Sequence, residues 1–168
     1  MIFNNNDLYN CVNIIKEYQK SCPVKIISLA NKLGITVYRA NMSKNISGAI
    51  FGKNLGYDNE KYLIYVNGSH HINRQRFTIA HEIAHFLLHR EKIGDNLTDS
   101  ALYRSKLSNT QERQANILAS ELLIPLHLLK DYINKGVRNI QTLSNIFEVS
   151  KEAMKIRLEN EYNVFLEE

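Results

Sequence analysis

The stretch Phe77-Thr78-Ile79-Ala80-His81-Glu82-Ile83-Ala84-His85 constrains this chain more than any other, because it sets HExxH inside a run with helical apolar spacing. At about 100° per residue, His85 lies about 40° around a helix from His81 and one turn along it, so both imidazoles reach one metal ion. Glu82 lies about 100° from His81, near enough to the ion for a water held there and turned aside from direct ligation. Random placement of six His and 12 Glu in 168 residues yields roughly 0.015 copies of HExxH, so the match is specific. The competing reading is a surface helix with two incidental histidines. Phe77, Ala80, Ala84 and Leu88 flank the motif and favour a helix held inside the protein.

The residue types fit one chemistry. Zinc with three protein ligands keeps an open position, lowers the pKa of its water toward about 7 and polarises a carbonyl, while a carboxylate takes the water proton and passes it to the leaving amine. A purely structural zinc site closes its fourth position with Cys or His and has no use for a carboxylate beside the ligands. Glu82 is therefore the candidate general base.

The third ligand must come from elsewhere. His89 continues the stripe but sits about 12 Å along the axis from His81, too far to share the ion, so it is expected behind the ligands or in the core. The pattern HExxHxxGxxH would need Gly at position 88 and His at 91, where this chain has Leu88 and Glu91. Glu112 is the better candidate. It opens a helix on which Glu112, Asn116, Ala119 and Leu123 share a face, and small Ala115 and Ala119 let that helix approach the HExxH helix closely. Asn116 is placed to hydrogen-bond a zinc histidine and fix its tautomer. The alternative for Glu112 is an exposed carboxylate favoured by the helix dipole.

The rest of the chain reads as helices, then strands, then helices. Helices are expected from about Asp7 to Tyr18 and from Pro23 to a stop at Gly34. Short strands follow at Ile35 to Arg39, Gly48 to Lys53 and Lys61 to Asn67, the last two joined through LGYDNE as a hairpin. After Asn73 the helical period returns through Arg90, and a polar loop of roughly 17 residues leads to a helix from Ser108 or Asn109 to Leu123. Three short helices follow, with breaks at Gly136 and at Val149-Ser150, where Ser150 is a candidate N-cap. This order predicts an α+β fold with a small mixed or antiparallel sheet, and no doubly wound parallel sheet. Residues 1–125 are expected to form the core that carries the metal, and residues 126–168 a helical C-terminal subdomain packed on it.

RQRFTIAHEIAHFLLH from Arg74 to His89, followed by ERQANILASELLIP from Glu112 to Pro125, resembles the ImmA/IrrE family of zinc metallopeptidases. The resemblance takes in PVKIISLANKLGITV from Pro23 to Val37 and the strand ending at Asn67, covering roughly residues 20 to 125 with a weaker extension to about 160. It implies a zincin-like fold, one Zn2+ per chain held by His81, His85 and Glu112, and Glu82 as general base. It also implies a protein substrate, a DNA-binding repressor of the helix-turn-helix kind. Ala84 stands where the family often has Gly, and Ile117 and Ile124 replace a common Phe and Met. The rival function is a zinc-binding regulatory or interaction protein, of a mobile element or a toxin-antitoxin-like system, without peptidase activity.

Weaker candidates surround this centre. His70 and His71 precede the metal helix and face either the cleft or solvent. Tyr103 and Arg104, in the loop between the two metal helices, are candidates for holding a substrate carbonyl, with an ordinary packed Tyr and exposed Arg as the alternative. Leu143 to Ala153 has the spacing of a helix-turn-helix, but from residue 126 onward six Lys and Arg face seven Asp and Glu, and phosphate contacts need positive charge. Substrate docking or packing is expected there and no direct nucleic-acid contact. The net charge of +4 is spread along the chain and names no partner. Cys11 and Cys22 follow no metal or disulfide spacing, and the N-terminus lacks a signal-peptide stretch, so a cytoplasmic protein without membrane contact is expected.

Overall fold

The computed structural model describes residues 5–53, 61–94 and 108–162. Its elements run α1 (Asn5–Tyr18), α2 (Ile26–Lys32), β1 (Ile35–Ala40), β2 (Gly48–Lys53), β3 (Lys61–Asn67), α3 (Ile72–Leu88), a single 3-10 turn (Arg90–Lys92), α4 (Asn109–Leu123), α5 (Leu126–Asn134), α6 (Ile140–Phe147) and α7 (Lys151–Tyr162). The second helix starts later than its Pro23 suggests: Val24 is fully buried ahead of it, and helical bonding begins with Leu29 N–H to Lys25 O. Gly34, with φ +82°, adopts the left-handed conformation that ends α2 and turns the chain into β1.

The sheet is mixed, in the order β1-β3-β2. β1 runs parallel to β3 with Ile35 opposite Tyr62, and β2 runs antiparallel to it with Gly48 opposite Val66. Period-two alternation puts Tyr62, Ile64 and Val66 on the buried face, in one apolar cluster with Ile79, Ile83 and Phe86 of α3. Gly48 is where helix and sheet come closest, since a Cβ there would lie 2.6 Å from Thr78 Cγ2 and from Tyr65 O.

The entry to α3 is organised by a buried amide. Asn67 Nδ2 donates to the carbonyls of Met42, Ser43 and Ile46, and its Oδ1 accepts from the N–H and the hydroxyl of Ser69. At the other end, the Arg90 guanidinium lies over the Tyr62 and Phe86 rings and donates to the Tyr62 hydroxyl at 2.9 Å. The end of the sheet and the end of α3 are thereby held together.

The C-terminal helices share this core. Leu129, Leu143, Phe147, Met154 and Leu158 belong to the same apolar cluster as Ile83 and Leu122. Arg76 of α3 ties them further, donating to Glu148 O at 3.1 Å and Val24 O at 3.0 Å while pairing with the Glu148 carboxylate. Burial pushes its guanidinium below the ordinary value and Glu148 pulls it back up. Ser150 Oγ accepts from Ala153 N–H and caps α7. No helix among the described residues is long and apolar enough to cross a membrane.

Candidate metal centre

Two helices build the centre. α3 places His81, Glu82 and His85 on its core side, and α4 lies against it because Ala115 and Ala119 at the contact are fully buried and small. The start of α4 is set by a reciprocal cap: Ser108 Oγ accepts from Gln111 N–H at 3.3 Å, and Gln111 Oε1 accepts from Ser108 N–H at 3.1 Å. Glu112, in the first turn after that cap, is delivered toward α3.

His81 Nε2 and His85 Nε2 lie 2.9 Å apart, and the Glu112 oxygens lie 3.3 Å from the first and 3.5 Å from the second. Tetrahedral zinc with bonds near 2.0–2.1 Å separates its ligand atoms by about 3.3 Å, so the three atoms already stand close to the edges of one face of such a site. The hydrogen bonding agrees with this. Asn116 Oδ1 lies 2.9 Å from His81 Nδ1 and, as an acceptor, draws the proton to that nitrogen, leaving the Nε2 lone pair turned toward Glu112. His81, His85 and Glu112 are thus a group that could hold a metal ion.

The centre is closed on one side and open on the other. The His85 side chain is 2% exposed, whereas His81 is 15% and Glu112 41% exposed. The solvent-facing edge of the group is on the Glu112 side. Glu82 is 1% exposed. Beside His81 runs a groove of about 1040 Å3 between α3, α4 and α7, starting at Phe77 and Asn116 and reaching Ile156 and Asn160.

The remaining expected residues fall in several places. His89 is buried, with its ring nitrogens near His85 and Gln114. His71 lines the groove, but its Nδ1 accepts from Asn73 N–H at 3.2 Å and caps α3. His70 Nε2 lies 3.1 Å from Lys44 O, away from the ligands. Tyr103 and Arg104 lie outside the described residues. Leu88, expected to help bury the motif, is 45% exposed because α3 ends there, and the burial comes from Ile79, Ile83 and Phe86 instead. Gln114 escaped the sequence reading because it lies about 160° around α4 from Glu112, off the face that Glu112 and Asn116 define. It meets His89 because that residue leaves the helical path.

Comparisons with known proteins agree with this geometry. Residues 30–159 match the peptidase family described as the IrrE N-terminal-like domain. The chain is 36% identical over 83 residues to the radiation response metalloprotease IrrE of Deinococcus deserti, a stretch that covers 47% of this chain and 28% of that protein. A Mycobacterium tuberculosis transcriptional regulator shares the fold, with a TM-score of 0.57 at 16% identity over 94% of this chain and 48% of the other. The chain therefore spans less than half the length of either relative. With a small mixed sheet, an HExxH helix and a helix that supplies Glu112, the fold is α+β and zincin-like, and the chain belongs to the ImmA/IrrE family of metallopeptidases.

Proposed function

We propose that this chain is a zinc-dependent endopeptidase that cuts a protein substrate, and that the substrate is a helix-turn-helix transcriptional repressor. The observation that carries the hydrolytic part is Glu82: a buried carboxylate one residue from His81, on the helix that supplies two of the three converging side chains, of which Glu112 is 41% exposed. His81, His85 and Glu112 would hold zinc, which supplies a polarised carbonyl and an acidified water. Glu82 takes the proton of the attacking water and returns it to the departing amine, so that it ends the cycle as it began. Its burial keeps competing water away from that proton. The identity of the substrate rests on the family resemblance.

The groove beside His81 suits a polypeptide chain. The ligands do not line it, but it reaches Phe77 and Asn116, both neighbours of His81, and offers Phe77, Ile117 and Ile156 as apolar contacts between polar edges. One wall is α7, the second helix of the helix-turn-helix spacing. Its Arg157 is 6% exposed, pairs with Glu161 at 2.9 Å and Glu121 at 3.8 Å, and donates to Ile124 O. That cation is neutralised within the protein and is not free for a phosphate.

The test is cleavage of purified helix-turn-helix repressors from the same genome, by the zinc-loaded protein and after chelation. Zinc-dependent cleavage at a discrete bond is expected. Zinc binding with the repressor bound but never cut would favour a regulatory protein without peptidase activity.

A further inference from the structure

His89 sits at the cap of α3, 5% exposed, where φ −134° and ψ 28° carry the chain off the helical path. Its Nδ1 lies 3.1 Å from His85 Nδ1, and its Nε2 lies 3.3 Å from Gln114 Oε1 on α4. The proton positions along this chain of contacts follow from what each atom can do. An imidazole that faces a metal ion through Nε2 offers a lone pair there, so neutral His85 carries its proton on Nδ1. That proton points at His89 Nδ1, which must be bare to accept it. Neutral His89 then carries its own proton on Nε2, and the Gln114 carbonyl oxygen accepts it.

We propose that His89 and Gln114 are positioning residues for the metal: Gln114 holds His89 in its Nε2–H tautomer, and His89 in turn fixes the tautomer and ring orientation of His85. The inference rests on the metal-centre reading above and extends it to a residue pair that touches neither ion nor substrate. In this arrangement α4 supports the centre three times over, with Glu112 as a ligand, Asn116 behind His81 and Gln114 behind His85 through His89. The use of a second imidazole follows from depth. His81 is backed by an exposed amide at the rim, whereas the Nδ1 of His85 is buried and needs an acceptor supplied by the protein.

The most direct test is long-range proton–nitrogen NMR of the zinc-loaded full chain, which reports which ring nitrogens carry protons. His89 is expected to carry a proton on Nε2 and to be bare on Nδ1. A proton on Nδ1 overturns the proposal. The second readout is zinc affinity by competition with a chromophoric chelator. His89→Leu should weaken it about 10 to 100-fold. His89→Asn should recover most of the loss, because its Oδ1 stands near the position of Nδ1 and accepts from His85. Wild-type affinity in His89→Leu, or no recovery in His89→Asn, also overturns it. If the unmodified chain fails to bind zinc, the metal reading itself falls and this inference with it; tight wild-type binding that ignores His89 removes this inference alone.

Discussion

Just before α3, His70 Nε2 lies 3.1 Å from the Lys44 carbonyl and His71 Nδ1 takes the Asn73 N–H, so both rings serve the backbone. Further along the same helix, His81 and His85 turn their Nε2 atoms toward each other and toward Glu112. The residue type is the same, although His71 is exposed and His81 half-buried. The difference lies in what stands opposite. His70 faces a loop carbonyl and His71 the N–H of its own first helical turn, while α4, carried close by Ala115 and Ala119, brings the Glu112 carboxylate and the Asn116 amide to the second pair. His81 and His85 could hold a metal ion because a second helix completes their surroundings, whereas His70 and His71 meet only backbone groups.

That contrast can be broken at its strongest point first. His81→Ala combined with His85→Ala should take zinc content from one ion per chain to almost none, read by elemental analysis of the purified protein; retained zinc would mean that the ion is held elsewhere. Asn116→Ala should leave the ligands in place and weaken zinc about 10 to 100-fold, because His81 loses the acceptor that orients it. His71→Ala should leave zinc affinity unchanged and lower thermal stability by about 1 kcal/mol or less, the worth of a modest N-terminal cap. Zinc loss in that variant would erase the distinction between the two ends of the helix.

The two sets also differ in how far the sequence discloses them. HExxH is legible because helical spacing alone puts positions 81 and 85 on one face. Glu112 and Asn116 are legible for the same reason, and small Ala115 and Ala119 announce a close helix contact. Gln114 is not legible, since its role depends on His89 departing from the helix, a backbone turn that no spacing records. In the sheet, the strands can be read from their residues. The parallel pairing of β1 with β3 cannot, because it depends on β3 entering the sheet between β1 and β2. Pro23 misleads as a helix start because the buried Val24 behind it is taken by the core before the helix begins. Asn67 and Arg76 read as ordinary polar residues, and only the folded chain shows the carbonyls they gather.

The buried carboxylate next to His81 in the chain is the group proposed to move the proton in hydrolysis. Glu82→Gln keeps the side-chain shape and removes the ability to take a proton. Zinc content, repressor capture and repressor cleavage should be measured on this variant beside the unmodified chain. Unchanged zinc, unchanged capture and a loss of cleavage of about 100-fold or more are the predicted result. Cleavage at the unmodified rate, with zinc still bound, would contradict it.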